Sequence, residues 1–111
     1  MIELIHVPVV RARTPWARLR GLLGAWRLPP GRGLLLERCR AVHTVGMARA
    51  IDVVFVGGDG VVLELARGLG RCRFAFCRSA EMVLELAEGD AGRLGLRRGA
   101  RLAFVDMGRW P

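Results

Sequence analysis

The sequence predicts a mainly β protein, a single compact antiparallel β-barrel or sandwich with one or two short helices. Three observations predict it. Short β-prone apolar stretches recur along most of the chain, and an Asp-Gly turn joins two of them as a hairpin requires. Long helices do not alternate with the strands, which a parallel α/β sheet would need. At 111 residues the length suits one domain over 1–111, large enough to bury roughly two-thirds of its unfolded surface. A hydrophobic fraction of 52% against 25% charged excludes a disordered chain.

The elements follow in order. Residues 1–11 are β-branched and apolar, and Pro8 suits this strand to a sheet edge. Thr14 and Pro15 form a helix start, a capping hydroxyl before a proline at the first helical position. Trp16, Leu19, Leu22 and Leu23 follow at helical spacing and Gly24 can end the helix. After the turn at Pro29-Pro30-Gly31, Gly33 to Leu36 reads as a short buried strand. Ala41 to Gly46 and Ala50 to Val56 are further strands, expected to pair with each other through residues 46–49. The second places Ile51, Val53 and Phe55 on one face and Asp52, Val54 and Val56 on the other. Both faces are largely apolar, so this strand should be central. Gly57 to Gly60 turns the chain into a return strand over Val61 to Ala66. Residues 67–80 read as an Arg-rich loop holding a short strand at Phe74 to Cys77. Met82 to Ala87 is a strand, Asp90 to Leu96 a short helix, and Arg101 to Val105 the last strand.

Composition excludes several chemistries. The chain has no Lys, Asn, Gln or Tyr and a single Ser, Ser79. Schiff-base chemistry, a Tyr acid and an Asn or Gln oxyanion donor are therefore absent. Ser79 lacks the flanking glycines of a nucleophile elbow. Gly57 to Gly60 opens no helix and has no Lys, so it is not a phosphate loop. All 18 cations are Arg, against 10 acids, for a net charge of +8. Such a surplus attracts phosphates or acidic partners, although Arg without Lys is also what a biased genomic base composition produces. Cys39, Cys72 and Cys77 form no disulfide framework and no zinc knuckle, which fits a reducing, cytoplasmic setting. Glu3 and the missing basic region make the N-terminus unlike a signal peptide, and no apolar run spans a membrane.

Among candidate site residues, Asp52 is the most informative. A carboxylate inside Ala-Ile-Asp-Val-Val-Phe-Val is expected to leave water and so to need a partner. His43, Thr44 and Arg49 are the nearest candidates if the two strands pair, and hydrogen bonds there would tie the hairpin together. Glu85 is a second acid, alternating with Met82, Leu84 and Leu86 and expected on a solvated strand face. Cys39 and His43 would lie about 13 Å apart in an extended strand, too far for a thiol-imidazole pair. Cys39, His43, Cys72 and Cys77 match no common metal spacing, so no metal or cofactor is expected.

Gly-Leu-Leu-Gly (21–24), Gly-Arg-Gly-Leu-Leu-Leu (31–36), Cys-Arg-Ala-Val-His-Thr-Val-Gly-Met (39–47), Ile-Asp-Val-Val-Phe-Val (51–56) and Glu-Met-Val-Leu-Glu-Leu-Ala-Glu-Gly (81–89) stand in an order that resembles a bacterial and archaeal family. That family is domain of unknown function 192, and the resemblance covers about residues 14–105. It implies a compact β-barrel or sandwich and no established activity. It places His43, Thr44, Met47 and Asp52 on the family's central motif and Glu85 on its closing one. Many members look exported or anchored behind a leader, whereas this chain starts almost directly on the domain. His43-Thr44 and Ala48-Arg49 stand where many relatives carry Trp or Lys-Asn, which implies that any ligand varies within the family.

The leading expectation is a non-enzymatic binding or accessory module for a small ligand or protein, as a monomer or weak dimer. Its ligand site would comprise His43, Thr44, Met47 and Asp52 at the central hairpin, with Glu85 nearby. A hydrolase-like enzyme using His43 with Asp52 as its orienting acid is the second reading. Polyanion or nucleic-acid binding through Arg67, Arg71, Arg73 and Arg78 is the third, with only four Phe and three Trp among the arginines to stack on a single strand.

Overall fold

The computed structural model describes residues 3–12, 31–44 and 49–109. The helix expected from Thr14 lies outside them. In order come β1 (Leu4–Ala12), β2 (Gly33–Glu37), β3 (Ala41–His43), β4 (Ile51–Val56), β5 (Val62–Leu69), β6 (Phe74–Phe76), β7 (Met82–Ala87), the single helical turn α1 (Asp90–Arg93) and β8 (Arg101–Arg109). Six strands form one sheet in the order β5-β4-β7-β2-β1-β8, and β3 and β6 form a separate two-stranded ribbon. The mainly β class holds, with a sandwich-like arrangement. The sheet is not closed into a barrel, although its two edges touch at one bridge between Val61 and Arg101.

β4 is central, as its two apolar faces require, with β5 on one side and β7 on the other. The Gly57 to Gly60 turn makes the β4–β5 hairpin, closed by the Gly57 N–H donating to Val61 O and the Gly60 N–H to Gly57 O. Each face of the sheet carries its own core. Ile51, Val53 and Phe55 join Leu34, Leu36 and Val83 on one face, with Val42 of the ribbon packed over them. Val54 and Val56 join Leu84, Leu86, Val7 and Val9 on the other, together with Ala91 of α1. The ribbon and the helical turn thus cover opposite faces.

Three expectations change. First, β3 pairs with β6 and not with β4, Ala41 lying opposite Phe76 and His43 opposite Phe74. A strand ending at His43 finds its partner some thirty residues on, because β5 and β7 already occupy both edges of β4. Second, β1 is not an edge strand: it runs parallel to both β2 and β8. Pro8 lies opposite Val105 in the β8 ladder, but β2 pairs only with Val9–Ala12, so on that side the proline lies before the ladder begins. Third, the helix after β7 is the one turn Asp90–Arg93, while β5 and β8 run past their expected ends to Leu69 and Arg109.

Candidate functional site

Asp52 is buried on the α1 face of β4. Its Oδ1 accepts the Gly68 N–H at 2.8 Å, and its Oδ2 accepts the N–H groups of Gly89 and Ala91, each at 3.0 Å. The sequence provides each donor by leaving the ladder locally. Gly68, at φ 62, belongs to a bulge in β5 where the register with β4 slips. Gly89 and Ala91 are amides at the start of α1, which carries no side-chain cap of its own, so Asp52 satisfies them from a neighbouring strand. The carboxylate has the partner its burial demands, but none of His43, Thr44 and Arg49 supplies it. A shallow cavity of about 300 Å³ lies above, lined by Asp52, Arg67, Gly68, Glu88, Gly89 and Gly92. Within it the carboxylate is already committed to backbone.

Glu85 is on the other face, opposite Leu34 of β2 and Val53 of β4. The expected solvated position is overturned: β7 is an inner strand with both faces covered, and the side chain is fully buried. Neither carboxyl oxygen has a hydrogen-bond partner among the described residues. Burial alone pushes the pKa up to about 8, so the group is a neutral acid at neutral pH.

The ribbon holds His43 and Thr44. Thr44 is buried and fastens the end of β3 to the turn before β6, its Oγ1 donating to Gly70 O and accepting the Arg73 N–H at 2.8 Å. His43 is half-buried, and its Nδ1 has no hydrogen-bond partner among the described residues. With both Asp52 oxygens spoken for, the expected pairing of His43 with Asp52 is not formed. Cys39 turns its thiol to Ala41 O at 3.1 Å and not to His43. Met47 lies outside the described residues. The structure therefore gathers His43 and Thr44 on the ribbon and sets Asp52 and Glu85 apart on opposite faces of the sheet. No cluster of three or more His, Cys, Asp or Glu suited to a metal occurs among the described residues.

Sequence reasoning named Arg71, Arg73 and Arg78 together with Arg67, which instead lines the Asp52 cavity and donates to Leu96 O, and it missed that two phenylalanines share the outer face of the ribbon. Alternation turns Val42 and Ala75 inward, where both join the core, and leaves Phe74 and Phe76 outward on the side of His43 and Ala41. The two rings are 68% and 58% exposed, which folding does not explain. At the Phe76 end, a cavity of about 530 Å³ is lined by Arg38, Cys39, Arg40, Ala41, Ala80 and Glu81. Arg38 sits there at φ 53, a left-handed conformation uncommon for a residue with a side chain. Arg71 and Arg73 flank the other end, and Arg78 follows β6. These five arginines are exposed and form no ion pair among the described residues, unlike Arg11, Arg93, Arg97 and Arg98. The legible signal was Phe-Ala-Phe set between arginines in a chain with four Phe and no Tyr.

These features define a small, sandwich-like β domain with inward structural acids and one basic, aromatic ribbon. The chain belongs to the DUF192 family, described as an uncharacterized ACR, whose family model matches residues 3–104. The solved structure of a protein of unknown function from Novosphingobium aromaticivorans has the same fold, with a TM-score of 0.73 and 24% identity over 84% of this chain and 71% of that one. A protein from Sinorhizobium meliloti 1021, provisionally described as a transcription regulator, is similar at 0.73 and 26% identity, over 84% and 78%. No curated protein matches the chain. Among the described residues, no helix is long and apolar enough to cross a membrane.

Proposed function

We propose that this protein is a non-enzymatic binding module for an anionic partner, with the outer face of the β3–β6 ribbon and the adjoining cavity as its contact surface. The observation that carries this reading is the pair of exposed phenylalanines among five arginines lacking acidic partners among the described residues. Arginines left without carboxylates hold their full donor capacity for an incoming carboxylate or phosphate, and the guanidinium fork suits both. The net charge of +8 adds long-range attraction. His43 belongs to this surface, Thr44 holds it rigid, and Asp52 and Glu85 act from inside the sheet. A reducing cytoplasmic setting fits the three free cysteines. The description of the Sinorhizobium relative is in line with an anionic partner.

Heparin fragments provide the test, followed by NMR shift mapping and by anisotropy at rising salt. Binding should perturb Ala41–His43 and Phe74–Phe76 and weaken steeply with salt, and replacing Arg38, Arg40 and Arg73 together by Ala should weaken it at least tenfold. Perturbations confined to β1, β8 and α1, or an unaltered affinity in the triple variant, would refute the reading.

A further inference from the structure

We infer that the ribbon is a stacking platform for single-stranded nucleic acid, with two successive bases on Phe74 and Phe76 and the phosphates held by the flanking arginines. This rests on the binding-module reading and names its ligand. An anion alone needs only charge, so it leaves the two rings without a role. A base has a flat apolar face that stacks on an aromatic ring whatever its sequence, and its phosphate supplies the charge the arginines lack. The geometry fits both requirements. Phe74 and Phe76 are two residues apart on one strand, roughly 7 Å, and project from one face, as needed to receive neighbouring bases of an extended chain. Thr44 locks the ribbon from beneath through Gly70 and Arg73, and Ala75 and Val42 anchor it in the core. The rings are thus held in place before anything binds, which lowers the ordering cost of association.

Positive charge is placed at both ends of this track. Arg71 and Arg73 precede Phe74, while Arg38 and Arg40 line the cavity reached past Phe76, whose strand partner Ala41 forms part of the cavity wall. Glu81 is the acid of that lining, and its carboxylate lies against Gly58, in the space a Cβ would take there. The arrangement favours a single strand over a duplex. Bases already stacked and paired cannot open onto exposed rings without an unstacking cost of a few kcal/mol. Recognition would use bases and phosphates and ignore the sugar.

Fluorescence anisotropy with labelled oligo(dT) and oligo(U), using the full chain, tests the proposal. Both strands should bind at low salt with similar affinity, and Phe74→Ala and Phe76→Ala should each weaken binding about tenfold. Phe74→Trp should retain it. Because both rings are exposed, the variants should keep the circular dichroism spectrum and melting temperature of the parent chain. Failure of either oligonucleotide to bind, equal affinity for a duplex of the same length, or unchanged affinity in the double Phe variant would overturn the inference. Heparin separates the two levels of argument. If heparin binds at the ribbon of the double variant as it does in the parent while the oligonucleotides never depended on the rings, the platform falls and the anion module stands. If heparin also fails to bind the parent chain, both fall.

Discussion

Asp52 and Glu85 stand on adjacent strands of one sheet, point to opposite faces, and are both withdrawn from water. Asp52 receives three N–H donors; Glu85 receives none from the described residues. The difference comes from the backbone beside each. Around Glu85, β7 is paired with β4 along its whole length and with β2 from Met82 to Glu85, so the ladders consume the nearby amides. Around Asp52, the bulge at Gly68 and the start of α1 each release amides that no strand claims. A carboxylate buried at the edge of regular structure becomes a tie between elements. The same group buried in the middle of a ladder keeps its proton.

The largest expected effect concerns that proton. Below about pH 4.5 the folded and unfolded chains both carry it at Glu85, so the residue adds no pH dependence. Between 4.5 and about 8 the unfolded chain has released the proton and the folded chain retains it, so stability falls as pH rises. The slope approaches 1.4 kcal/mol per pH unit, for a total of roughly 5 kcal/mol, and vanishes once the folded chain ionises as well. Urea unfolding from pH 4 to 9 should show this fall relative to Glu85→Gln, which cannot titrate. Parallel curves for the two proteins would mean that Glu85 finds a charge-stabilising partner in solution. Asp52 comes next. Asp52→Ala should cost about 4 kcal/mol, since the Ala91 amide is buried and the Gly68 and Gly89 amides lose a charged acceptor. Asp52→Asn, which keeps one carbonyl oxygen, should cost roughly half as much.

How much of this the sequence reveals depends on range. The two faces of β4, its central place and its hairpin with β5 follow from alternation and an Asp-Gly turn, both local. That Asp52 must be partnered follows from its apolar neighbours. Which groups partner it does not, because Gly68, Gly89 and Ala91 are 16, 37 and 39 residues away and act through backbone amides that no side-chain pattern marks. Glu85 reads as a solvated residue because alternation identifies a face but not what covers it. The burial comes from sheet order, a non-local fact. The pairing of β3 with β6 is hidden for the same reason, yet Phe74-Ala75-Phe76 announces its own alternation once a strand is granted there.

The contrast between the acids sharpens further if Glu85 is made apolar. Glu85→Leu removes a neutral but unpartnered carboxyl from its place opposite Leu34 and Val53, and by the same linkage should stabilise the protein by about 3 kcal/mol at pH 7, with a larger gain at pH 9. A loss of stability instead would show that the carboxyl has a partner in solution.

The smallest effect tests the origin of the Asp52 donors. Gly68 holds φ 62 and presents its N–H to Asp52 Oδ1, whereas Gly70, two residues on, has no positive φ and open space where a methyl group would stand. Gly68→Ala should cost roughly 1–2 kcal/mol for the left-handed backbone, because the added carbon would lie 3.1 Å from the side chain of exposed Glu88, which can swing aside. Gly70→Ala should be near neutral or slightly stabilising through the unfolded chain. In the Asp52→Ala background the Gly68→Ala cost should shrink, since the bulge no longer has a carboxylate to serve, and a double-mutant cycle reads that coupling directly. Full additivity would mean that the bulge forms for its own local reasons and that Asp52 merely takes advantage of an amide already turned toward it.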